Sequence, residues 1–195
     1  MSENKKREMK VDYLYIDLST CNRCLGTDTA LYEAIRDTNQ ILKTSGIELT
    51  LTKTLVETEE QAAELGFLTS PTIRINGRDM QEDFQESVCE SSCGVVEEGG
   101  VLCREWNYQG KIHNTAPKGM IVDAILKQVY AGEQEPLPEG SYRIPVKKLP
   151  ANLKNWFVAL HKSEQEGATA DADCGTSCCG PTSADDESNG GSCCD

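Results

Sequence analysis

No apolar run in this chain approaches the ~20 residues that a membrane span needs. The opening stretch, Met1 to Lys10, is charged and lacks the apolar core of a signal peptide. The expectation is therefore a cytoplasmic protein with no membrane partner. Basic residues are also scarce: 19 Lys and Arg stand against 32 Asp and Glu, leaving a net charge of −13. So acidic a chain is a poor match for a nucleic acid backbone or an anionic bilayer. Histidine is nearly missing. His113 and His161 have no motif around them and read as structural or exposed.

Cysteine, by contrast, is abundant, with ten in 195 residues. The length suits one domain with extensions. In a reducing compartment, cysteines in pairs more often serve redox or metal chemistry than structural bridging.

The most informative stretch is Ser19-Thr20-Cys21-Asn22-Arg23-Cys24. It follows a strand-like run, Tyr13 to Leu18. It precedes a helical pattern in which Leu31, Ala34, Ile35, Ile41 and Leu42 recur at three-to-four spacing. The pair thus falls on a strand-to-helix turn, where unpaired N–H groups and the positive end of the helix dipole favour a thiolate. Cys21 reads as the nucleophile, helped by Arg23, and Cys24 as the thiol that resolves a mixed disulfide.

Ile47 to Leu55 reads as a second strand, with Ile47, Leu49, Leu51 and Leu55 on one face. Glu57 to Gly66 reads as a short helix with an acidic first turn and a glycine stop. This β-α-β-α order predicts a parallel strand pair. Ile73 and Ile75 lie in a third strand, and Asn76-Gly77 signals a hairpin. Pro71 opens that strand, where its missing N–H is tolerated. On base rates alone its peptide bond is trans.

Taken in order, these elements resemble the thioredoxin-like superfamily from about residue 11 to 131. More closely, that stretch is similar to an uncharacterised thioredoxin-like family known only as a domain of unknown function. The resemblance implies a thioredoxin-like central sheet flanked by helices, with Cys21 and Cys24 as the redox pair. It implies a cis bond at the proline matching Pro71, set against the first cysteine. It also implies that the position matching Ser70 offers backbone hydrogen bonds to a substrate chain. Pro71, Ser70 and Arg23 are accordingly the candidate substrate contacts. Thioredoxin itself carries Trp-Cys-Gly-Pro-Cys, whereas Thr20 and Asn22-Arg23 stand here.

Residues 78–101 form an insertion after the third strand. Gln81 to Ser92 is read as a helix, which would put Cys89 and Cys93 on one face. Cys103 begins a hairpin that runs from Leu102 to His113 and turns at Gln109-Gly110. These three thiols read as a metal or metalloid site, or as one disulfide plus a thiol, or as small buried apolar side chains. A helix from Pro117 to Gly132, with Ile121, Ala124, Ile125 and Val129 inward, closes the domain at 1–132.

Residues 133–162 read as a linker spaced by Pro136, Pro138 and Pro145 and then a helix from Pro150 to Lys162. Leu153, Trp156, Phe157 and Leu160 share its face, either docked on the core or offered to a partner. Residues 163–195 hold eight acids, no Lys, Arg or aromatic, and a composition that predicts disorder. Five cysteines lie there: Cys174, Cys178, Cys179, Cys193 and Cys194. Paired thiols on a flexible acidic chain suit capture of soft ions, and adjacent cysteines bridge one another only with strain.

Two functional readings follow. The first is a thiol–disulfide oxidoreductase that acts through Cys21 and Cys24 on a protein or small-molecule disulfide and requires no cofactor. The alternative is a protein that binds or delivers a soft metal or metalloid ion of the arsenic or mercury type. In that reading the Cys21 turn is completed by Cys89, Cys93 and Cys103, and the tail is a delivery arm.

Overall fold

The computed structural model describes residues 7–89, 101–131, 137, 138 and 140–170, with side chains described as far as Lys162. It is a mixed α/β protein built on a four-stranded sheet with the order β2-β1-β3-β4, beside a three-stranded antiparallel sheet with the order β5-β6-β7. In chain order the strands are β1 (Arg7–Tyr15), β2 (Ile47–Leu55), β3 (Thr72–Ile75), β4 (Arg78–Asp79), β5 (Gln85–Val88), β6 (Leu102–Tyr108) and β7 (Lys111–His113). The helices are α1 (Asn22–Leu42), α2 (Glu59–Leu65), α3 (Lys118–Tyr130) and α4 (Ala151–Ala170). No described helix is long and apolar enough to cross a membrane.

β1 is the hub of the larger sheet. It pairs in parallel with β2 from Arg7↔Ile47 to Tyr15↔Leu55, and antiparallel with β3 from Val11↔Ile75 to Leu14↔Thr72. The first strand therefore starts earlier than Tyr13 and stops before Leu18. Beyond Tyr15 the chain turns, because the Asp17 carboxylate accepts the N–H groups of Ser19 (2.6 Å) and Thr20 (3.1 Å). Burial raises the Asp17 pKa, but bonds from the hydroxyls and N–H groups of Thr20 and Ser19 outweigh it and hold the carboxyl below its ordinary value.

α1 lays Leu31, Ala34, Ile35 and Leu42 into the core, together with Thr27 and Thr38. Ile41, expected on that stripe, falls at its border and is 67% exposed. α3 packs with α1 through Met120, Ile121 and Ile125 against Met9, Val11 and Trp106. Gly66 ends α2 at φ 58°, where an added Cβ would lie 1.9 Å from the carbonyl oxygen of Tyr142. Asn76 (φ 51°) and Gly77 (φ 81°) turn the β3–β4 hairpin, and Gln109 and Gly110 turn β6 into β7. The Ser70–Pro71 peptide bond is cis.

The helix expected over 81–92 is not formed in its described part, residues 81–89. Gln85 to Val88 instead pairs with Leu102 to Glu105 in register, so strand pairing from a distant partner prevails over local helical spacing. Cys89 directly follows this strand. Its N–H donates to the Val101 carbonyl at 2.8 Å, which continues the ladder. The last helix also runs past Lys162 to Ala170, so the boundary placed at 163 falls inside α4. Gly132, the proposed stop of α3, lies outside the described residues, and the observed C-cap is Ala131.

Candidate functional site

A second hydrophobic cluster forms at the N-terminal end of α1. Leu14, Ile16, Val56, Phe67, Leu153, Trp156 and Phe157 surround Cys21, Cys24, Cys89 and Cys103. No disulfide joins these four cysteines. Each reaches the cluster for a local reason. Cys21 is the N-cap of α1, in extended backbone, and its sulfur accepts the N–H of Cys24 at 3.4 Å. Cys103 lies opposite Ser87 in the β5–β6 ladder, and Cys89 lies two residues beyond Ser87. Cys89 and Cys103 are therefore diagonal neighbours on one sheet face, since side chains alternate along a strand.

That face meets the end of α1. The sulfurs of Cys21, Cys89 and Cys103 all lie within 4.8 Å of one another, and all three residues are buried. Cys21 and Cys89 are 3.9 Å apart, sulfur to sulfur. Among the described residues this is the group of side chains placed to hold a metal ion.

Cys24 sits beside the group and is not a member of it. Its sulfur is 3.4 Å from the Ser70 hydroxyl, whose oxygen also accepts the Ile16 N–H at 3.3 Å. The contact with Cys21, then burial, then the nearby Cys21 charge push the Cys24 thiol far above the usual cysteine range. Tyr13 donates its hydroxyl to the Cys24 carbonyl at 2.6 Å, and burial raises its pKa strongly as well.

Two residues proposed as substrate contacts have other employment. The Ser70 carbonyl accepts the Arg104 N–H at 2.8 Å, so that backbone acceptor is taken by strand β6 of the chain itself. Arg23 is buried and turned toward the β5–β6 face, where it donates to Ser87, Val88 and Cys103. Pro71 lies between Ser70 and β3 and is buried. Cys93 and the tail cysteines 174, 178, 179, 193 and 194 lie outside the described residues.

Sequence reasoning overlooked Asn152. Its side chain accepts the Leu102 N–H and donates to the Leu102 carbonyl, both at 2.9 Å, and so clamps α4 to the strand that carries Cys103. It also overlooked Arg104, which is 0% exposed and bonded through two nitrogens to Asp79 at 2.8 and 2.7 Å. Its guanidinium also faces the rings of Phe84 and Trp106. A charge at an alternating strand position gives no signal of such burial, because its partner Asp79 comes from another strand.

Fold and site together define a mixed α/β protein with a buried cluster of thiols at a helix N-terminus. The chain belongs to the family described as Domain of unknown function (DUF2703), which matches residues 9–125. That span takes in Cys21, Cys24, Cys89 and Cys103. No curated protein and no solved structure matches the chain.

Proposed function

We propose that this protein captures a soft, thiophilic ion through Cys21, Cys89 and Cys103. The observation that carries this reading is the convergence of three buried sulfurs from separate parts of the chain to within 4.8 Å of one another. Around one ion with bonds of about 2.3 Å to sulfur, three thiolates stand roughly 3.8–4.0 Å apart. The Cys21–Cys89 separation is already 3.9 Å. Thiolate donors select soft or borderline ions over Mg²⁺ and Ca²⁺, and binding releases the thiol protons. In this reading the tail cysteines collect the ion and pass it inward.

A second reading rests on Cys24. With a thioredoxin-like arrangement of β1, α1, β2 and β3, Cys21 would attack one sulfur of a disulfide and expel the other as a thiolate. Cys24 would then attack the Cys21 sulfur, leaving a Cys21–Cys24 disulfide and a fully reduced substrate. The close contact between the two residues favours this chemistry. Against a protein substrate stand the 1% exposure of Cys21 and the occupation of the Ser70 carbonyl by β6. A single ion needs neither an exposed thiol surface nor displacement of that strand, so ion capture is the better fit.

The test uses the full chain with its five tail cysteines replaced by serine. Cadmium(II) titration, followed by thiolate-to-metal absorbance, should saturate at one ion per chain. Cys89→Ser or Cys103→Ser should abolish tight binding, whereas Cys24→Ser should preserve it. Absence of the absorbance, or equal binding by all variants, would sink the proposal.

A further inference from the structure

Arg23 follows the candidate ligand Cys21 by two residues in sequence and lies against the candidate ligand Cys103 in space. It is 6% exposed, and its guanidinium makes hydrogen bonds to the Ser87 hydroxyl (3.0 Å) and to the carbonyls of Ser87 (3.5 Å), Val88 (3.0 Å) and Cys103 (3.3 Å). Every one of these acceptors is neutral. Among the described residues no carboxylate forms an ion pair with it. The other buried arginines differ: Arg104 is paired with Asp79, and Arg74 lies in the field of Asp79 and Asp12.

A buried cation without an anion is expensive, so buried charges are ordinarily paired. Among the described residues that Arg23 bonds, the one whose side chain can supply negative charge is Cys103, whose thiol is clustered with those of Cys21 and Cys89. Its acceptor carbonyls belong to Cys103 itself and to Val88, the residue before Cys89, and Cys21 lies two positions ahead of it on α1.

Charge arithmetic then separates the soft ions. A divalent ion M²⁺ reacting with three thiols gives [M(SR)₃]⁻ and three protons, a complex with one negative charge. Arsenite, As(OH)₃, reacting with three thiols gives As(SR)₃ and three waters, a neutral complex. Beside Arg23 the first assembly is neutral overall, and the second leaves the buried cation uncompensated. We propose that Arg23 is the built-in counter-charge of the three-thiol site and fits it to a divalent soft ion of the cadmium, mercury or lead class over a trivalent metalloid. This inference rests on the three-thiol reading of the site and names the class of ion it takes.

Relative affinity provides the test, because loss of a structural brace weakens both kinds of complex while loss of a charge weakens only one. On the full chain with serine at the five tail cysteines, cadmium(II) and arsenite affinities are measured for the parent, Arg23→Gln and Arg23→Lys. Removing one partner of a buried charge pair should lower cadmium affinity relative to arsenite by about tenfold or more in Arg23→Gln. Arg23→Lys, which keeps the charge and loses the planar fork, should hold the parent ratio even if both affinities fall. An unchanged ratio in Arg23→Gln, or the same fall of the ratio in Arg23→Lys, would overturn the role of Arg23. If Arg23→Gln does not fold, Arg23→Met, which also removes the charge but keeps an apolar stem, is measured in its place and should show the same fall of the ratio; an unchanged ratio there overturns the role of Arg23. A parent that binds neither ion fails the three-thiol reading itself, a result distinct from the failure of Arg23.

Discussion

Cys21 has two tasks that a single substitution can separate. Its sulfur accepts the Cys24 N–H and so caps α1, and the same sulfur belongs to the three-thiol group. Serine at this position keeps a capping oxygen, and alanine does not. Cys21→Ala should therefore be less stable than Cys21→Ser by about 1 kcal/mol in denaturant melts, the usual worth of an N-cap, while both lose ion binding. Equal stability would mean that the capping contact contributes nothing. Asp17 makes a pH-dependent contribution just upstream. Its folded pKa is depressed, so the stability it adds is present above its unfolded value, about 3.9, and is lost as pH falls through the folded one. The stability gap between the parent and Asp17→Asn should accordingly be flat near neutrality and shrink below about pH 4. A gap that instead widens in acid would contradict this.

At the scale of elements, the site depends on how the β5–β6 pair is held. Asn152 ties α4 to both backbone groups of Leu102, one residue from Cys103. Asn152→Ala leaves a backbone N–H and carbonyl without those partners and should cost about 1–3 kcal/mol. It should also weaken cadmium binding, because Cys103 loses its anchor; binding unchanged alongside the lost stability would detach the clamp from the site. Asp79→Ala is expected to be worse, at about 3–5 kcal/mol, since Arg104 would be left fully buried without its carboxylate. What the sequence made legible here was local. The Asn76-Gly77 and Gln109-Gly110 turns, the α2 stop at Gly66 and the bounds of β2 follow from chemistry within a few residues. The strand at Gln85–Val88 was not legible, because its partner lies beyond residue 101 and the intervening pattern permits a helix. Arg23 was placed near the chemistry as a helper of Cys21 and a substrate contact, whereas tertiary packing turns its guanidinium to Ser87, Val88 and Cys103.

At the scale of the molecule, the α1–α3 layer on the larger sheet forms one apolar core, and the thiols sit in another, closed by α2 and α4. The convergence of Cys21 with Cys89 and Cys103 was legible as an option among several, since clustered cysteines invite it. Its geometry was not, because it needs the β5–β6 face to meet the end of α1. The central claim is that three sulfurs, and not the Cys21–Cys24 pair, make the site. X-ray absorption at the cadmium edge, on the loaded full chain with tail cysteines replaced by serine, counts those neighbours directly. The account predicts a shell of three sulfurs that is lost in Cys103→Ser, which no longer holds the ion tightly, and stays at three in Cys24→Ser. A shell of oxygen or nitrogen, or a sulfur count that drops on removal of Cys24 and not of Cys103, would contradict it.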